Sequence, residues 1–194
     1  MVAQTEDVIM SVEEYLSLEE VSPLKHAYVD GHVYAMSGGT LTHDTIANNV
    51  RGEIRTHLRT RGGPCRPFGP DVRLRVSPTV YYYPDALVIC EADLDFGAIE
   101  VTAPCLIVEV LSHSTEADDR GRKFADYQTL EKFEEYVLVD SRRRAVECFR
   151  RTEHGLWLYQ RYDGDATITL ETVGLTRPIA IFYEDTPLAQ GGTQ

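Results

Sequence analysis

Hydrophobic residues recur at every fourth position through "LTHDTIANNVRGEIRTHLRTRGG". Ile46, Val50, Ile54 and Leu58 form one stripe and Gly62-Gly63 ends it, so the spacing predicts a long amphipathic helix. Arg51, Arg55 and Arg59 repeat at the same interval on another face, which reads first as a solvated face. Upstream, "SVEEYLSLEE" sets Ser11 three residues before Glu14, the capping-box spacing of a short helix. "AYVDGHVYAMS" is two strand-like runs meeting at Asp30-Gly31, a strong hairpin signal.

The pattern then changes period. "PDVRLRVSP" alternates Val72, Leu74 and Val76 with Asp71, Arg73 and Arg75, as a half-exposed strand does. "YYYPDALVIC" and "CLIVEVLS" are almost uniformly apolar, as central strands covered on both faces tend to be. "DDRGRKFADYQTLEKF" predicts another helix, and "EYVLVD" another strand. "AVECFRR" and "LWLYQRY" predict a meander, with turns at "SRRR" and "EHG". "ATITLE" and "IAIFYED" read as weaker strands before a frayed "AQGGTQ". The order predicts an α/β (α+β) fold, a mixed central sheet flanked by helices with an added antiparallel C-terminal meander. No repeat or linker divides the chain, so 1–194 is expected to be a single domain. Its core spans roughly 10–160, with C-terminal strands and tail over 163–194.

Composition narrows the function classes. The 194 residues are 43% hydrophobic and 26% charged, which is globular. The formal net charge of −12 argues against coating nucleic acid by bulk electrostatics. It still permits an enzyme with a local basic face, or an acidic site completed by a metal ion. No run approaches the ~20 apolar residues of a membrane span, and "MVAQTEDVIM" has no basic leader before an apolar stretch. Cys65, Cys90, Cys105 and Cys148 are scattered without a CxxC pair, so zinc is not expected. Free thiols in a reduced, cytoplasmic setting are the economical expectation.

One residue breaks the apolar run "CLIVEVLS". Glu109 puts a carboxylate into a core strand, and an unpaired buried carboxylate is costly by several kcal/mol at least. A surface-facing or Arg-paired Glu is the ordinary alternative. Asp85, after Pro84, opens the neighbouring strand, so two carboxylates can converge. Mg²⁺ or Mn²⁺ wants such oxygen ligands, with waters and phosphate oxygens completing the shell. A phosphodiester-cleaving site also needs a cation near the scissile phosphate. Residue i+2, which shares Glu109's face, is Leu111, so the strand itself supplies none. Lys123 does. It falls on the inward face of the next helix, beside the stripe of Phe124, Tyr127 and Leu130. A Lys snorkelling at the stripe's edge is the plainer reading.

These residues resemble a known family. "YVDGHVYAMSGGTLTHDTIANNV", "CRPFGPDVRLRV", "YYYPDALVIC", "APCLIVEVLSHSTEADDRGRKFADYQTLEKFEEYVLVD" and "VECFRR" are similar, in order, to the Uma-two branch of the PD-(D/E)xK restriction-endonuclease-like superfamily. The resemblance implies a restriction-endonuclease-like fold and a metal-dependent DNA endonuclease. It implies Asp85 and Glu109 as metal-binding carboxylates, the backbone carbonyl of Val110 as a further ligand, and Mg²⁺ or Mn²⁺ as the ion. Lys123 stands in for a catalytic lysine migrated to the helix. His43 and Asp71 match auxiliary positions, although capping, packing or an edge-strand contact would explain them equally. A homodimer is implied, to which Tyr81–Tyr83 could contribute, with strand packing as the alternative. Arg142, Arg143 and Arg144 at a predicted turn could meet phosphates.

Two departures stand out. Ala27 occupies a place where many relatives carry Glu, and His113 one where relatives usually carry Pro. His113 could face the mouth of the site. Both departures, with the acidic charge, support an alternative: a catalytically weakened nuclease-like module binding nucleic acid or a protein partner. A phosphodiesterase acting on a smaller substrate is a third reading.

Overall fold

The computed structural model describes residues 9–36 and 38–189. Helix α1 (Val12–Val21) starts at Ser11, whose Oγ accepts the Glu14 amide while the Glu14 carboxylate accepts the Ser11 amide. The capping box is therefore complete. Strands β1 (His26–Val29) and β2 (His32–Ala35) form the hairpin. Its two turn residues, Asp30 and Gly31, have φ of 48° and 95°, the left-handed pair that a two-residue hairpin turn requires. Helix α2 (Leu41–Arg61) is capped by Thr40, whose side chain accepts the His43 amide, and buries Ile46, Val50, Ile54 and Leu58 as the periodicity predicts.

The remaining elements are β3 (Arg66–Phe68), β4 (Arg73–Ser77), β5 (Val80–Tyr82), β6 (Ala86–Ile89), β7 (Glu100–Val101) and β8 (Leu106–Leu111). Then come α3 (Glu116–Arg120), α4 (Arg122–Tyr127), β9 (Glu135–Asp140), β10 (Ala145–Arg151), β11 (Trp157–Asp163), β12 (Thr167–Leu170) and β13 (Leu175–Pro178). The main sheet runs β11-β10-β9-β8-β6-β3, and a second runs β2-β1-β5-β4-β7. β8 pairs parallel with β9 and antiparallel with β6, so the main sheet is mixed and β8 lies inside it. Every residue of β6, β8 and β9 is buried, as the unbroken apolar runs predict.

Alternation along β8 sorts two cores. Leu106, Val108 and Val110 face α2 and the C-terminal elements. Ile107 and Leu111 face Tyr127, Leu130 and Phe133, together with Val29, Leu74 and Val80 of the second sheet. Glu109 shares this second face. Among the described residues no helix is long and apolar enough to cross a membrane.

Several expectations are corrected. "IAIFYED" is not a strand: Ile179–Tyr183 is a short 3₁₀ helix that buries Ile179, Phe182 and Tyr183. Their spacing is helical, and they join the α2 core. The helix expected around Lys123 is broken at Gly121, which separates α3 from α4. Arg73 is buried rather than outward, because Glu100 pairs with it. Tyr81, Tyr82 and Tyr83 are all buried and serve strand packing rather than an exposed interface: Tyr81 lies against Tyr15 and Tyr28, and Tyr82 against Tyr127. The cysteines are not all free. Antiparallel pairing of Arg66 with Ile89 sets Cys65 opposite Cys90, and these two form a disulfide; Cys105 and Cys148 are free and buried. The "AQGGTQ" tail lies, from residue 190, outside the described residues.

Candidate active site

Asp85 stands immediately before β6, and Glu109 is the fourth residue of β8. The antiparallel register, Ala86 against Val108, brings them to the same end of the sheet. Their link is direct. The Val110 amide donates to Asp85 Oδ2 at 2.7 Å, and the Asp85 amide lies 3.4 Å from Glu109 Oε2. Both carboxylates open on a cleft of about 570 Å³ that also reaches His43, His113, Asp119 and Lys123.

Glu109 is buried but not alone. Its Oε1 accepts from Lys123 Nζ at 3.1 Å and from the Tyr127 hydroxyl at 2.9 Å. Lys123 Nζ also lies 2.7 Å from Asp119 Oδ1, and the ammonium sits 5.9 Å from the Tyr82 ring centre. Burial pushes the Glu109 carboxyl above its ordinary range, against the pull of Lys123. Burial alone would lower Lys123, but Glu109 and Asp119 outweigh it and raise its pKa. Lys123 is therefore held as an ammonium ion. Leu111 leaves the strand position two beyond Glu109 apolar, and the cation arrives from α4 instead.

His43 projects from the first turn of α2. Its Nε2 lies 3.4 Å from Asp85 Oδ2. Burial works against its charge, yet Asp85, Val110 and Glu109 together raise its pKa. The imidazole thus lies against Asp85. Close packing fixes it there, since a Cβ on Gly39 would come within 2.7 Å of Nδ1.

Other candidates lie further off. Asp71 is exposed and pairs with Lys25 at the edge of a neighbouring groove. His113 is exposed on the cleft wall. Ala27 packs at the edge of the second core. The three turn arginines are committed to carboxylates: Arg142 to Asp140 and Glu116, Arg143 to Asp140, and Arg144 to Asp165. Sequence reading missed Asp119 and Tyr127. The signal was present, because Asp119, Lys123 and Tyr127 are spaced four apart: Lys123 reaches Asp119 across the break at Gly121, and Lys123 and Tyr127 converge on Glu109.

A mixed sheet that gathers two strand carboxylates at one end, with helices on either side, belongs to the restriction-endonuclease-like class of nuclease folds. The chain belongs to the Uma2 family, described as "Putative restriction endonuclease", whose family model matches residues 12–180. It is 35% identical over 175 residues to the uncharacterized protein slr1290 of Synechocystis sp., covering 90% of this chain and 91% of that one. A second Synechocystis protein, the uncharacterized sll1609, is 31% identical over 160 residues, covering 81% and 89%. Among solved structures, a putative nuclease belonging to DUF820 from Anabaena variabilis superimposes with a TM-score of 0.74 at 16% identity. That match covers 90% of this chain and 97% of the other.

Proposed function

We propose that this chain is a divalent-metal-dependent DNA endonuclease whose site is Asp85, Glu109 and Lys123. The observation that carries the reading is the convergence of two strand carboxylates and one buried ammonium ion on one cleft. The donor set suits Mg²⁺ or Mn²⁺, which take one or two carboxylates and fill the shell with water and phosphate oxygens. Asp85, Glu109 and the Val110 carbonyl would hold the ion. Among the described residues no third acidic, His or Cys ligand joins them. When bound, the ion would polarise the phosphate and lower the pKa of the attacking water.

The chain's own groups have separable tasks. Lys123, kept protonated by Glu109 and Asp119, is a poor proton acceptor and a good fixed cation. It orients the attacking water and stabilises the charge that develops at phosphorus. Tyr127 holds the Glu109 carboxylate from below through its hydroxyl. His43 orients Asp85 from the α2 side.

The test is Mg²⁺- or Mn²⁺-dependent cleavage of plasmid and single-stranded DNA, with calorimetric titration of Mn²⁺ into wild type and Asp85→Asn. Cleavage and Mn²⁺ binding are both expected in wild type, and Asp85→Asn loses both. If Lys123→Ala cleaves as fast as wild type, the assignment fails. A second reading, a nuclease-like module without turnover, is favoured by His43 lying against Asp85 and by Ala27. It predicts no Mn²⁺ heat and nucleic-acid or protein binding that survives Asp85→Asn.

A further inference from the structure

The protein carries 19 Lys and Arg residues against 31 Asp and Glu, so a cation has many carboxylates available to it. Thirteen of the 19 lie within 4.0 Å of one. Among the described residues the other six are Arg51, Arg55, Arg59, Arg61, Arg66 and Arg151. Five of these six fall between residues 51 and 66, on the second half of α2 and the start of β3. Arg51, Arg55 and Arg59 share one face of α2 and Arg66 lies beside it on β3, so positive charge that no described carboxylate pairs with is concentrated there, while Arg61 turns to the Val173 carbonyl.

That face is concave. Arg55, Arg59 and Arg66 line a groove of about 620 Å³ between α2 and the segment leading into β3, and no carboxylate lines it. Arg51 lines the next groove, of about 700 Å³, which runs along the same helix to His43 and Asp85. Besides Asp85, two carboxylates border that second groove. Asp71 is neutralised by Lys25, and Asp44 accepts from the Asn48 side chain. Arg51 is seated closely enough over Gly69 to leave no room for a Cβ there. Gly62 and Gly63, with φ of 74° and 100°, turn the chain without any side chain to block the groove mouth. Phe96, 77% exposed, forms its wall.

We infer that this arginine row is the track of a single nucleic-acid strand that enters the cleft along α2. The inference rests on reading the cleft as a phosphodiester-cleaving site. The spacing suits a phosphate chain. Successive arginines rise about 6 Å along the helix, and His43 to Arg59 spans about 24 Å, the axial length of roughly seven nucleotides. An arginine groove with an exposed aromatic wall is the chemistry that binds unpaired bases, because Phe96 can stack only on a base free of its partner. It also explains how a chain of net charge −12 can hold a polyanion: the field is local, and among the described cations outside this segment all but Arg151 are already paired with a carboxylate.

The test measures binding with cleavage switched off. A fluorescein-labelled 20-nucleotide single strand is titrated in EDTA against wild type, an Arg55→Ala/Arg59→Ala/Arg66→Ala variant and Phe96→Ala, at several salt concentrations. The triple variant is expected to bind at least about 10-fold more weakly at low salt. Its slope of log affinity on log salt should be shallower by about 2, near 0.7 for each lost phosphate contact. Phe96→Ala is expected to lose about 5- to 100-fold, and all three proteins should melt at the same temperature. Unchanged affinity and slope in the triple variant would overturn the track. So would a wild type that binds no oligonucleotide at low salt, or one that binds phosphatidylserine vesicles in its place. Hydrolysis of bis-p-nitrophenyl phosphate, too small to reach the groove, reports the cleft separately. Its absence counts against the nuclease reading, whereas the track stands or falls on the binding data.

Discussion

Glu109 and Glu135 are both buried carboxylates on adjacent strands of one sheet, and their surroundings differ in kind. Glu135 opens β9 and faces the α2 side of the sheet, while Glu109 faces the other. Glu135 is wrapped. Its two oxygens accept the backbone amides of Glu171 and Thr172 at 3.2 Å each, with Cys148 Sγ at 3.4 Å and Arg150 Nε at 3.6 Å. The two amides belong to the turn after β12, so Glu135 ties that turn to the sheet. Glu109 has a lysine, a tyrosine and an open cleft on its remaining side. Burial raises the pKa of both. Burial of a charge therefore does not mark a site; Glu109 differs in lining a cleft, with a buried lysine held between it and a second carboxylate, Asp119.

The contrast can be broken at several points. The largest effect is expected from Glu109→Gln, which should lower cleavage by at least about 100- to 1,000-fold, while Glu135→Gln cleaves like wild type. Equal losses in a plasmid nicking assay would end the distinction. Next, Asp119→Asn should lower cleavage about 10-fold by releasing Lys123, with Mn²⁺ binding retained by calorimetry; a loss of Mn²⁺ binding would instead make Asp119 a ligand. In stability the order reverses. Glu135→Ala strands two turn amides and should cost about 2 kcal/mol, lowering Tm by roughly 4–8 °C with activity intact at 25 °C.

The smallest effect concerns pH. The folded-state pKa of Glu135 lies above its ordinary value of 4.5. The folded protein therefore holds a proton that the unfolded chain has already released. The stability from this group is fully present below about pH 4.5 and is lost as pH rises through the raised pKa. Urea melts of wild type minus Glu135→Gln should show that decline, on the order of 1 kcal/mol per pH unit shifted. A difference that grows with pH would contradict it.

Much of this was legible from period and chemistry. The α2 stripe, the Asp30-Gly31 turn and the buried runs around β6 and β8 follow from local rules, because each side chain's partner lies within its own element or the next. Asp85, Glu109 and Lys123 were legible as out-of-place charges. What escaped reading depends on long-range pairing. "IAIFYED" has the residues of a strand, but α2 offered it a groove and no sheet edge. Gly121 split a helix whose outer positions look regular. Asp119 looked like one more acid in "EADDR" until Lys123 reached back to it. Cys65 and Cys90 look unrelated until the β3–β6 register is known.

That register has a mechanical consequence. The bond between Cys65 and Cys90 closes a 25-residue loop that includes β4, β5 and Asp85. In the chain-entropy account, closure of this kind stabilises the folded state by about 3 kcal/mol. It also rivets the edge strand carrying Arg66 to the strand that Asp85 opens. Cys105 Sγ lies only 3.4 Å from Cys90 Sγ, though burial lifts its thiol to about 12 and keeps it inert as a nucleophile. Opening the rivet would loosen the sheet's rim while leaving the ion pairs at its centre in place, so the outermost strand and the cleft need not soften together.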